Sequence, residues 1–155
     1  MVYNSKFISV DYDVIAFIKE NLRNLPERQR VAGQKAMLQC AEDLLEKSKD
    51  LVPVDTGALK ENGHIERLAD GSGYAVVYDI TAGDRNPKAK DKDFKYGALQ
   101  HEELSFHHDI GQALYLEIPY ESNKDDYKAK IANAIRRATG NIRGRAMKKA
   151  KRGRR

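Results

Sequence analysis

The chain is short of three things: cysteine, long apolar runs, and acidic charge near its C-terminus. Cys40 is the only cysteine, so the chain can build neither a disulfide framework nor a cysteine-based metal site. A lone thiol inside a helical apolar pattern reads as core. No stretch approaches the ~20 apolar residues of a membrane-spanning helix, and the opening residues lack a signal-peptide core. The expectation is a protein made and kept in a cytoplasm, with no membrane partner. Between Arg136 and Arg155 there are ten Lys or Arg and no Asp or Glu. Removing those ten from the 28 basic residues leaves 18 against 23 acidic ones, a net of −5 for residues 1–135 in a chain whose total is +5. A mildly acidic body therefore carries a basic tail, and the tail implies a partner.

What is present suits one globular domain. Apolar residues make up 41% of the 155 and charged residues 33%, and a chain this long buries roughly 70% of its unfolded surface. Val10, Val14, Ile15, Ile18 and Leu22 recur at helical spacing, which predicts a helix over 11–24. Pro26 opens a longer helix to about Lys49. Val31, Leu38, Ala41, Leu45 and Ser48 share one face, with Met37, Leu44 and Leu51 beside it. The residues before Pro53 stop it. Residues 64–69 and 74–80 read as strands around the turn Asp70-Gly71-Ser72-Gly73, which makes a hairpin. Residues 81–95 read as a long exposed loop, 96–103 are ambiguous, and 113–120 ("ALYLEIPY") read as a third strand ended by Pro119. A closing helix from Asn123 carries Tyr127, Ile131, Ala134, Ile135 and Ala138 on one face. There are no internal repeats. The fold expected is α+β: long N-terminal helices on a small antiparallel sheet, a closing C-terminal helix and a basic tail. One domain covers 1–138, and 139–155 has too little apolar content to fold alone.

The stretch "LVPVDTGALKEN" (51–62) concentrates the candidate chemistry. Asp55-Thr56-Gly57 is the tripeptide that carries an aspartic protease's aspartate. That chemistry needs two carboxylates sharing one proton; the single copy leaves only a version paired across a dimer, which calls for a buried apolar strand where this chain has a helix end and a proline. A phosphate loop would need spaced glycines ending in Gly-Lys-Ser/Thr, and Gly57 stands alone. The remaining reading is structural. Asp55 or Thr56 caps a short helical turn through Ala58 and Leu59, and Gly57 eases that turn's close approach to its neighbours.

His101, His107 and His108 lie near Glu102, Glu103 and Asp109. Imidazoles and carboxylates can ligate zinc or iron, yet the spacing matches no helical metal motif, so an interface-facing polar turn is expected. Were a metal to bind, His101, Glu102, His107 and His108 would hold it. Tyr74, Tyr78, Tyr96, Tyr115, Tyr120 and Tyr127 suit a half-exposed sheet surface or a protein interface. No nucleophile–base pair, cofactor loop or nucleic-acid module is present, so neither catalysis nor a cofactor is expected.

Taken whole, a helix followed by Val52, Pro53, Asp55, Thr56, Gly57 and Leu59 resembles a family of tailed-phage virion proteins. These are variously called neck, head–tail joining, tail-completion or minor tail proteins. Tyr96, Gly97, Glu102 or Glu103, then Leu116, Glu117 and Pro119, continue the likeness more loosely, so that it spans about residues 30–138. "LSFHHDIGQ" stands where the family's Gly-Thr usually follows, and the Pro-Phe before the last helix is missing. The resemblance implies a non-enzymatic virion subunit, assembled in the host cytoplasm. It would form a ring with itself and meet neighbouring neck, head-closure and tail proteins. Pro53, Asp55, Thr56, Gly57 and Leu59 would be its structural motif, and Tyr96, His101, Glu102, His107 and His108 its candidate interface. Arg143, Arg145, Lys148, Lys149, Lys151, Arg152, Arg154 and Arg155 would touch packaged DNA or an acidic neighbour. Two other classes compete. One is a small nucleic-acid-binding or DNA-packaging accessory protein acting through the tail. The other, more distant, is an enzyme at Asp55 or at the histidines.

Overall fold

The computed structural model describes residues 25–152, with side chains to Thr139. The helix expected over 11–24 lies outside the described residues.

Helix α1 (Glu27–Leu51) begins just after Pro26, whose fixed φ and missing N–H suit the start of a helix. It ends where Val52 turns to φ −59°, ψ 132° ahead of Pro53. Its buried side is Gln29, Gly33, Ala36, Cys40, Ala41, Leu44 and Ser48. The expected stripe was thus rotated slightly, because Val31 is 51% exposed. Small residues at 33, 36, 40 and 41 leave room for a second long helix. That helix, α5 (Glu117–Arg152), is the other half of the body. Three side-chain bonds fix its direction: Gln29 to Thr139 at 2.7 Å, Tyr127 to Asp43 at 2.6 Å, and Lys47 to Asn123 at 2.8 Å. As the number rises on one helix it falls on the other, so the pair is antiparallel.

Between them come α2 (Ala58–Asn62), β1 (His64–Arg67), β2 (Tyr74–Val77), α3 (Ala82–Arg85) and α4 (Tyr96–Glu102). The strands pair antiparallel, with His64 opposite Val77 and Arg67 opposite Tyr74. The turn closes through Leu68 N–H to Gly73 O at 3.0 Å, and Gln34 of α1 donates to Gly71 O at 2.9 Å. The α+β architecture is as expected, with a sheet of two strands.

Two elements differ from expectation. Residues 113–120 form no strand: Leu114 has φ 54°, and α5 begins at Glu117. Pro119 sits in the first helical turn, where its missing N–H would have no intrahelical partner anyway. The closing helix therefore starts earlier than Asn123. It also continues to Arg152, so the backbone is helical well past Ala138. In the expected loop 81–95, Thr81 and Asp84 form a capping box that starts α3. The ambiguous 96–103 becomes α4.

The core gathers Ala36, Cys40, Leu44, Val52, Leu59, Tyr78, Ile80, Tyr115, Leu116, Tyr127 and Ile131. Three tyrosines expected at a half-exposed surface are therefore inside. Tyr78 and Tyr115 meet edge to face at 5.0 Å. Their hydroxyls are satisfied, Tyr78 with Ser48 Oγ at 2.7 Å and Tyr115 with Gly97 O at 3.0 Å. A buried phenol with a partner costs little.

Candidate functional site

The chain leaves α1 at Val52, 1% exposed, and runs extended through Pro53 and Val54. This extended piece is paired: Val54 N–H donates to Ile110 O at 3.1 Å, and Gln112 N–H to Leu51 O at 2.8 Å. Gly111 lies between those bonds with φ +89°, and a Cβ there would stand 2.4 Å from Val52 O. Residues 110–112 thus run alongside the start of the motif segment, bonded to it at both ends.

Asp55 does not cap the next helix. Its carboxylate, exposed to solvent, pairs with the Arg85 guanidinium from α3. That guanidinium lies over the Tyr96 ring, 4.9 Å from its centroid. The Asp55 bond, ahead of the other causes, raises the Arg85 pKa. Thr56 Oγ1 accepts a long 3.4 Å bond from Ala58 N–H. The N-cap is Gly57 at φ 84°, ψ −15°. Nothing lies within 4 Å of a Cβ built on it, so the glycine serves the left-handed backbone and no close approach. Leu59, 4% exposed, anchors the turn in the core.

Pro53, Asp55, Thr56, Gly57, Leu59, Arg85 and Tyr96 line a shallow depression with space for about one water. Within the chain an arginine, not a second carboxylate, faces Asp55. Arg85 could not be found from sequence, because it sits 30 residues away in a segment that reads as solvated loop.

The histidines separate. His101 is 0% exposed. Its Nδ1 donates to Glu102 Oε1 at 3.1 Å, its ring stands edge-on to Tyr115 at 5.0 Å, and its Nε2 has no hydrogen-bond partner. His107 projects into solvent, 91% exposed, 3.6 Å from Asp109. His108 packs against Phe106. They do not converge on a metal site, and His101 is part of this subunit's interior. Glu102 and Tyr96 keep exposed surface. Sequence reasoning missed the apolar residues that follow them: Leu104 is 71% exposed, Ile110 61%, and Phe106 and Ile118 about 40%. Single exposed apolar residues are ordinary, and here four fall within fifteen positions. Among the described residues no helix is long and apolar enough to cross a membrane.

The family described as "Bacteriophage HK97-gp10, putative tail-component" matches residues 17–99. The chain belongs to this HK97-gp10-like family of phage tail components, and is a tail- or neck-related structural protein of the virion. The match takes in α1, the 51–62 turn, the hairpin, Arg85 and Tyr96, and stops before His101. No curated protein and no solved structure matches the chain significantly.

Proposed function

We propose that this protein is a non-enzymatic neck or tail-completion subunit. It forms a ring with copies of itself between head and tail, and meets head-closure and tail proteins on either side. One observation carries the reading: Leu104, Phe106, Ile110 and Ile118 stay exposed, and backbone bonds tie residues 110–112 to the segment that leads into the motif turn. A surface of this kind is built to be covered, and closed symmetry covers it in every copy at once. The ring assembles in the host cytoplasm and ends in the virion.

Electron microscopy of a lysate from phage lacking this gene tests it. Filled heads beside separate tails are expected for joining, and tails of abnormal length for tail completion. Intact, infectious particles would overturn the proposal and favour a nucleic-acid-binding accessory.

The basic stretch belongs to the same reading. Ten positive charges in residues 136–155 would face packaged DNA or an acidic neighbour. Phosphate contacts weaken steeply with salt, so deleting 139–155 should abolish DNA retention that is strong at low salt. Retention unchanged by the deletion, or by salt, would remove DNA from the list of partners.

A further inference from the structure

Away from the motif turn, the hairpin brings together three groups of ligating type. His64, Glu66 and Asp79 each present one ligand atom, all within 4.8 Å of one another. His64 and Glu66 are two apart on β1 and share a face. Carrying the register of β1 and β2 two residues beyond His64–Val77 puts Asn62 opposite Asp79.

Asn62 organises the group. Its backbone carbonyl is 2.7 Å from His64 Nδ1. A carbonyl can only accept, so Nδ1 carries the hydrogen and Nε2 is the nitrogen directed at the carboxylates. Its side-chain amide donates to Asp79 Oδ1 at 3.1 Å, and its Oδ1 accepts from Ile80 N–H at 3.2 Å. One residue thus holds an imidazole by the far nitrogen and a carboxylate by one oxygen. This is the outer-shell arrangement that orients metal-ligating histidines. His64 Nε2 and Glu66 Oε1 stand 3.4 Å apart. Two ligands set tetrahedrally at about 2.1 Å from a zinc ion are separated by about 3.4 Å.

We propose that His64 Nε2, Glu66 and Asp79 form a binding site for a divalent transition ion of zinc type. The remaining coordination positions fall to water, since His64 and Glu66 are about 40% exposed. The ion clips the end of α2, β1 and the exit of β2 together. It leaves Nδ1–H on the Asn62 carbonyl.

Zinc chloride titrated into the chelator-treated full chain at pH 8 in a calorimeter tests the site. One ion per chain is expected, with a rise in the melting temperature. His64→Ala and Asp79→Asn should each weaken binding about tenfold or more, with circular dichroism confirming that the variants are folded. Asn62→Ala, which removes the Asp79 support, should weaken it less. His107→Ala, at the exposed His107–Asp109 pair, should leave it unchanged. Absence of saturable binding would overturn the proposal. So would affinity that survives His64→Ala and Asp79→Asn but falls with His107→Ala.

Discussion

Gly57 and Gly111 both hold left-handed backbone, yet different things constrain them. At Gly57 nothing surrounds a would-be Cβ, so Gly57→Ala meets only the conformational cost of about 1 kcal/mol. At Gly111 the same methyl would press on the Val52 carbonyl, so Gly111→Ala should cost about 3 kcal/mol. Urea midpoints measured at constant slope check the difference, and equal costs would mean that the 103–112 stretch moves aside freely. Asp55→Ala removes an exposed pair with Arg85 and should cost less than about 1 kcal/mol. A Thr-Gly pair after Asp-rich or Pro-rich sequence announces a turn, which made this segment legible. The partner of Asp55 was not, because a charged residue in a polar loop carries no sign of which opposite charge it will meet.

The seam between α1 and α5 is where the domain's stability concentrates. Leu44→Ala there should cost about 2–5 kcal/mol. Tyr127→Phe deletes the bond to Asp43 and should cost about 1 kcal/mol. Hydrogen bonds from Lys47 and then Tyr127 hold the Asp43 carboxyl below its ordinary pKa of 3.8. A depressed folded pKa gives stability that is complete above the ordinary value and lost as pH falls through the folded one. The urea midpoint should therefore drop from about pH 4 downward, and drop less in Asp43→Asn. The two long helices were legible because apolar spacing persists over several turns. The segment "ALYLEIPY" misled because alternation and a proline mark both a strand end and a helix start. Leu114 at positive φ, which nothing in its chemistry announces, turns the chain into the second. The hairpin was legible from its Asp-Gly-Ser-Gly turn.

At the scale of the whole molecule, stability and assembly should come apart. Ile110→Asp and Leu104→Asp change exposed side chains, so unfolding should shift by no more than about 0.5 kcal/mol, while complementation of gene-deficient phage should fail. Normal complementation would place the contact surface elsewhere. The exposed apolar stretch was illegible because a Leu or Phe in sequence does not say whether it faces inward. The interior has an optical consequence. The chain has eight tyrosines and no tryptophan, so tyrosine dominates its near-ultraviolet absorption. Burial raises the pKa of Tyr78 to about 12 and lifts Tyr115 and Tyr127 above the usual phenol value as well. Their contribution to stability is complete below pH 10 and fades as the pH climbs through the folded values. In an alkaline titration these phenols should stay protonated after an ordinary tyrosine has become phenolate. Their late, cooperative colour change would report, without any label, the moment the two long helices part.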